Sequence, residues 1–374
     1  MKNSQKIKVT TILGTRPEII RLSEIIKKFE VNYIHRLIFS SQNRESFVGM
    51  DFFEELGLRA PDYVIGNSSS TTGEFLATMF VEFERELTNN RPDAVVILGD
   101  TNTSLSSIIV QKLGIPLYHI EAGNRSFDSN VPEEVNRKIV DHISDFNLAY
   151  SRHAESNLLS EGLNSRNCIV IGTPLREVIH VNRSRINESQ VLNKLELEPL
   201  KYFLVSSHRQ ENINSIIRLT ELVKTLNTMA ERFNLPIIVT MHPRLKSMLE
   251  KNSFDFHKLV KFVQPFGFID YCQLQVHAKV VLSDSGSISE ESALLKFKAI
   301  TLRDSMERPE ALESGSIVMA GLKSERVISA IEFLRNNSST ISIPDDYQIM
   351  NSSERVLNFI QSTYFVRDFW SGRH

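Results

Sequence analysis

The sequence predicts an α/β protein of two doubly wound domains, each a parallel sheet covered by helices on both faces, with their strand ends facing across a cleft. Three observations predict it. The chain has 374 residues, more than one ordinary domain and enough for two cores of roughly 150 to 200 residues each. Short, continuous apolar runs alternate with segments of helical spacing in both halves, the pattern of strands buried on both faces. These runs end in polar, charged loops, and in such sheets ligands bind outside the carboxyl ends of the strands.

In order, Val9 to Leu13 is β-rich and stops at Gly14, after which Ile19, Ile20, Leu22, Ile25 and Ile26 recur at helical spacing. A helix N-terminus placed there offers free N–H groups to an anion, and Arg16 adds a guanidinium; a plain βα turn with a solvated arginine reads equally well. Neither GxGxxG nor a Walker pattern occurs, so no nucleotide cofactor has support. A second strand over 33–40 leads to the polar run Ser40 to Glu45, a helix follows over Phe47 to Leu58, and Asn67 to Gly73 reads as a mobile loop before a helix from Glu74 to Leu87. Asp93 to Leu98 is an apolar strand delivering Gly99 and Asp100, the latter open to a role as helix cap or as a site residue. Ile115 to Ile120 delivers Glu121 into a dense charged stretch, His119 to His142, that reads as an active-site loop leading into a helix.

Asp145 to Ala149 and Cys168 to Ile171 give two further strands, Gly172 to Pro174 starts a crossover, and 176–200 is charged and helical. The expected division is 1–172 and 173–352. In the second half Phe203 to Ser207, Ile237 to Met241, Val280 to Leu282 and Ala299 to Leu302 are strands. They deliver His208 and Arg209, His242, the loop Ser285-Gly286-Ser287 and Arg303. Small residues at 285–287 let backbone N–H groups approach a diphosphate, and Glu291 is spaced to reach a ribose diol. The same stretch also reads as a capping box of Ser287 and Glu290. His208 is a candidate acid, base or phosphate partner, because histidine titrates near neutrality; His242 carries less weight, since it can simply turn a strand into a helix.

Hydrophobic residues make up 41% and charged residues 24% of the chain, an ordinary soluble composition. The net charge of -2 leaves no basic field for nucleic acid or an anionic membrane. Cys168 and Cys272 are two isolated cysteines, which argues against disulfides and a metal site. With no signal-like N-terminus and no apolar span, the expected location is the cytoplasm.

Seven segments occur in an order that resembles the non-hydrolysing UDP-N-acetylhexosamine 2-epimerases: Gly14 to Glu18, Gly99 to Thr101, His119 to Arg125, Pro132 to Arg137, Ser207 to Asn212, Ser283 to Gly286 with Glu290 and Glu291, and Arg303 to Glu310. The resemblance implies the two-Rossmann-domain GT-B fold, with the last helix (353–374) crossing back onto the first domain, no cofactor, a UDP-sugar partner and a homodimer. It also implies a reaction. A base removes the C2 proton, UDP leaves C1 by anti elimination, and UDP adds back after reprotonation on the other face. By motif, Asp100, Glu121 and Glu133 become the acid/base candidates, and His208 a partner of the departing diphosphate. Arg16 and Arg21 would steady phosphates, Ser285, Gly286 and Ser287 hold the diphosphate, and Glu291 the ribose. Asn124, Arg125, Arg137, His242 and Arg308 would complete the substrate pocket.

The wording around Asn124, with Ser126 to Val131 and Ile139 to Asp145 after it, resembles the UDP-N-acetyl-L-fucosamine synthase branch of capsule and O-antigen assembly. Its substrate is UDP-N-acetyl-L-pneumosamine. The alternative is interconversion of UDP-N-acetylglucosamine and UDP-N-acetylmannosamine, which the loop Gln42 to Glu45 resembles more. In some bacterial members of that branch such a loop holds a second, activating UDP-sugar.

Overall fold

A computed structural model describes residues 6–40, 47–66, 71–207, 209, 212, 215–252, 254–337 and 341–371. The loop Gln42 to Glu45, part of Asn67 to Gly73, and His208 lie outside the described residues. The chain forms two compact units. The first gathers residues up to Arg125, Pro132–His180 and residues from Asp346 on, and the second gathers Ser126–Val131 and Val181–Asp345. The chain thus passes between units at 180/181 and 345/346, and the short segment after Arg125 belongs with the second unit.

The sheet of the first unit contains β1 (Lys8–Leu13), β2 (Ile34–Ser40), β3 (Tyr63–Ile65), β4 (Ala94–Leu98), β5 (Leu117–Ile120), β6 (Phe146–Ala149) and β7 (Cys168–Val170). All neighbours are parallel, in the order β3-β2-β1-β4-β5-β6-β7. The order reverses between β1 and β4, which opens a crevice at their carboxyl ends. On one face the helix Thr72–Asn89 lays Phe75, Met79, Phe83 and Leu87, one residue every turn, against Ile12, Ile38, Val95 and Ile97. Burying each such side chain contributes about 2 kcal/mol. Its start is set by Thr71, whose hydroxyl accepts from Glu74 N at 3.2 Å while the Glu74 carboxylate accepts from Thr71 N at 3.2 Å. Tyr33 donates to Leu357 O at 2.9 Å, and Tyr118, stacked on Phe146, meets Thr363 Oγ1 at 2.8 Å. The helix Ser352–Thr363 is thereby fixed to the first unit.

The second unit repeats the scheme with β8 (Phe203–Ser206), β9 (Ile237–Thr240), β10 (Val260–Val263), β11 (Val280–Ser283), β12 (Ala299–Thr301) and β13 (Ile317–Met319). Its order is β10-β9-β8-β11-β12-β13, again all parallel, with the reversal between β8 and β11. The helix Ile216–Phe233 places Leu219, Leu222, Leu226 and Met229 over this sheet, starting at the Ser215 cap and ending at Asn234, whose φ is 49°. No helix among the described residues is long and apolar enough to cross a membrane.

Candidate active site

In the first unit the polar groups collect where β1, β4 and β5 end. Gly14 lies so close to Thr103 and Ser40 that a Cβ would sit 2.1 Å from Thr103 Oγ1. Arg16 and Pro17 then open the helix Arg16–Asn32, with the Arg16 guanidinium 5.5 Å from the Phe52 ring centre. One turn on, Arg21 is buried with Nε 3.7 Å from Glu121 Oε2, and Asn124 Nδ2 stands 3.5 Å from Glu121 Oε1. Glu121 has φ 71°, a left-handed backbone that a side chain with a Cβ adopts at a cost of about 1 kcal/mol or more. That turn lifts the carboxylate off the end of β5.

Asp100 is not a helix cap. Its carboxylate accepts from Arg137 Nε at 2.9 Å and from Arg137 Nη2, while Arg137 Nη1 donates to Glu134 at 3.1 Å. Arg137 is thus buried and holds Asp100. Glu133, half-buried, is the first residue of the helix Glu133–Ile143. The inner face of that helix is mostly ionic: Glu134, Arg137 and Asp141 are buried together with Val140.

Arg125 is engaged in a similar way. Its Nη1 donates to Asp141 Oδ2 at 2.7 Å, and Nε and Nη2 form a two-pronged bond to Glu161 at 2.7 and 2.6 Å. A guanidinium so engaged supports the loop. The Arg125 hydrogen bonds draw the Glu161 carboxyl down to about 2. Asp141 also receives Gly123 N at 3.2 Å and faces His119 Nδ1 at 2.8 Å, and Asn157 holds Gly123 O at 2.9 Å.

Glu18 escaped the sequence reading, although the Thr15 to Glu18 spacing is that of a capping box. Its buried carboxylate accepts from Gly14 N at 2.6 Å, Thr15 N at 3.3 Å and Thr101 Oγ1 at 2.8 Å. It thus joins the first turn to the residue after Asp100. Burial outweighs these bonds and raises its carboxyl to about 7. Between the ordinary carboxyl value and about 7 the folded state holds a proton that the unfolded chain has released, so stability falls as pH rises through that window. The loss is on the order of 3 kcal/mol. Glu18→Gln, which cannot ionise, is expected to gain about that much relative to the wild type between about pH 4 and about pH 8 in urea titrations. A difference that does not change with pH would refute the assignment.

In the second unit Asp284, at the exit of β11, is fully buried and accepts from Ser207 Oγ at 2.8 Å, Asn212 Nδ2 at 2.9 Å and Arg209 N at 3.1 Å, which ties the exits of β8 and β11 together. Ser285 and Ser287 hydroxyls meet at 2.9 Å around Gly286. A Cβ on Gly286 would come within 2.7 Å of Arg308 Nη1, so a glycine is what lets that arginine lie against the turn. The expected capping box is absent: Ser287 makes no side-chain cap, and the buried Glu290 carboxylate instead faces Arg308 Nε at 3.2 Å. A guanidinium offers a stronger partner than a backbone amide. Glu291 accepts from Gln275 Nε2 at 2.5 Å. Glu307 sits among Arg303 at 2.8 Å, Arg209 at 3.3 Å and Arg308 at 3.8 Å, a cluster the sequence did not single out. His242 is half-buried just past β9. No group of three or more His, Cys, Asp or Glu side chains able to hold a metal occurs among the described residues.

Apart from those that follow β1, these strand-end positions lie within the part of the chain that a known family shares. Residues 27–361 match the family model described as UDP-N-acetylglucosamine 2-epimerase. The chain belongs to that family. The UDP-N-acetylglucosamine 2-epimerase of Methanocaldococcus jannaschii is 36% identical over 364 residues, covering 95% of this chain and 99% of its own. A solved structure of the M. jannaschii enzyme in complex with UDP-GlcNAc and UDP superposes with a TM-score of 0.89 at 35% identity, covering 95% of this chain and 100% of that one. The structure of UDP-N-acetylglucosamine 2-epimerase from Rickettsia bellii also gives 0.89 at 35% identity, covering 97% of this chain and 99% of that one. This family member is thus a 2-epimerase, an isomerase, built from two parallel-sheet α/β units of the GT-B type.

Proposed function

We propose that this 2-epimerase interconverts UDP-N-acetylglucosamine and UDP-N-acetylmannosamine without net hydrolysis, by elimination of UDP across C1 and C2 and its re-addition. The observation that carries the reading is the pair Asp100 and Glu121. They follow adjacent parallel strands, and each faces an arginine, Arg137 and Arg21 respectively. Carboxylates so placed remove a proton from C2 on one face and return it on the other, with Glu133 as a third acid/base group. The second unit is the proposed UDP holder. The turn Ser285 to Ser287 and Arg308 take the diphosphate, Glu291 takes the ribose, and His208 assists departure by balancing charge on the leaving oxygen. The names of the relatives at 36% and 34% identity support the glucosamine substrate.

Asn124 favours a second reading. It stands 3.5 Å from Glu121, so the residue that carries the likeness to the L-fucosamine branch is beside the proposed acid/base group. The experiment is to supply UDP-N-acetylglucosamine and UDP-N-acetyl-L-pneumosamine separately in deuterated water and follow the C2 and anomeric protons. Deuterium at C2 of the first, with an epimer forming and no acceptor present, is the expected result. Exchange confined to the L-sugar would move the substrate to the second reading, and steady release of free sugar would overturn the non-hydrolysing mechanism.

A further inference from the structure

We propose that His119 is a positioning residue for the epimerisation: protonated on both ring nitrogens, it holds the strand ends that carry Asp100 and Glu121 at a fixed spacing. This rests on the reading of those two carboxylates as the acid/base pair. His119 is on β5, two residues before Glu121, and its ring reaches sideways to β4. Nε2 is 2.9 Å from Gly99 O, the carbonyl immediately before Asp100. Nδ1 is 2.8 Å from Asp141 Oδ1. A peptide carbonyl can only accept, and an ionised carboxylate can only accept. A neutral imidazole has one N–H and one lone pair, so it would satisfy Gly99 or Asp141 and set its lone pair against the other.

The competing arrangement places the proton on Asp141. The surroundings oppose it. Asp141 Oδ2 receives Arg125 Nη1 at 2.7 Å, and Gly123 N lies 3.2 Å from Oδ2 and 3.3 Å from Oδ1, donors that favour the carboxylate. His119, Arg125 and Asp141 are each 2% exposed or less, while Glu161, on the far side of Arg125, is partly exposed. With the ring charged, Asp141 is flanked by two cations, one donating to each of its oxygens. Asn147, beside His119 on β6, donates to Asp141 O at 3.0 Å, and His142 meets Glu161 Oε2 at 2.9 Å at the exposed end.

The consequence for the reaction is geometric. Gly99 N donates to Ile120 O at 3.0 Å, so Gly99 is fastened to β5 through its amide and through His119 at its carbonyl. Asp141 simultaneously fixes Gly123, two residues beyond Glu121. Both proposed acid/base residues therefore project from backbone held by one ion pair, and a displacement near 1 Å in such a frame can cost about 100-fold in rate.

The test combines two measurements. In protein labelled with 15N histidine, both His119 ring nitrogens are expected to carry protons near neutral pH, as two facing acceptors require, the resonance being assigned by its loss in His119→Gln. A His119 nitrogen without a proton there overturns the proposal, and this readout does not depend on the activity of any variant. Kinetically, His119→Gln and Asp141→Asn are expected to lower kcat by roughly 10- to 100-fold with KM within about 2-fold. Folded variants with unchanged kcat, or with the loss confined to KM, overturn it. Wild-type protein that shows the doubly protonated ring but no C2 exchange with either nucleotide sugar would overturn the underlying reading instead, which keeps the two failures distinct.

Discussion

Glu121→Gln is expected to lower kcat by roughly 10² to 10⁴ and to abolish deuterium incorporation at C2, while UDP still binds. Gln keeps the length of the side chain and leaves an oxygen for Asn124, which lies 3.5 Å from the carboxylate, but it cannot take up a proton. The effect should exceed that of any single change in the diphosphate turn. Contacts made equally to bound substrate and transition state move KM, whereas a missing proton acceptor acts on the chemical step alone. Stopped-flow mixing and C2 exchange on the same preparation decide it. Exchange continuing at the wild-type rate would remove Glu121 from the mechanism and leave Asp100 and Glu133 as the candidates.

Gly123→Ala should produce a large loss of stability. Gly123 has φ 85°, and an added Cβ would stand 2.2 Å from Ala154 O and 2.7 Å from its carbonyl carbon, backbone atoms of the helix Arg152–Ser160 that have no rotamer by which to retreat. Either the helix shifts, breaking the Asn157 bond to Gly123 O, or the loop does, pulling Gly123 N from Asp141. The expected cost is about 4 kcal/mol or more, roughly 10 °C in the melting of the first unit. By contrast, no atom outside the local chain stands within 4 Å of a Cβ at Gly57 or Gly162. Alanine there should cost about 1 kcal/mol, from the backbone conformation alone. Equal melting temperatures for Gly123→Ala and Gly57→Ala would show that the loop is not packed as described.

The strands that the sequence announces are those buried on both faces. β4 and β5 are wholly buried and read as unbroken apolar runs. β3, β10 and β13 did not announce themselves: each stands at the edge of its sheet with partly exposed residues, β3 and β13 are only three residues long, and Lys261 interrupts β10. The same logic divides the site. Asp100 and Glu121 are legible as strand-exit residues, the positions where ligands bind in such sheets. What a charged side chain does there is not local information. Arg125 finds Glu161 thirty-six residues on, and His119 finds Asp141 twenty-two residues on, so nothing in their neighbours distinguishes a buried brace from a ligand contact. Glu18 is the exception, since its capping-box spacing is written within four residues.

The ionic inner face of the helix Glu133–Ile143 has a consequence for how such a chain can change. A helix seated on leucines can slide or roll slightly, and its residues can be exchanged one by one at modest cost. Here Arg137 and Asp141 each have a single angular setting in which Asp100, His119 and Arg125 are all met. Replacing any one of them strands a buried charge, at about 3 to 5 kcal/mol, whereas replacing both members of a pair can be nearly neutral. Sequence variation through this part of the enzyme is therefore expected to proceed in coupled steps, with positions 119, 125, 137 and 141 changing together with their partners or not at all.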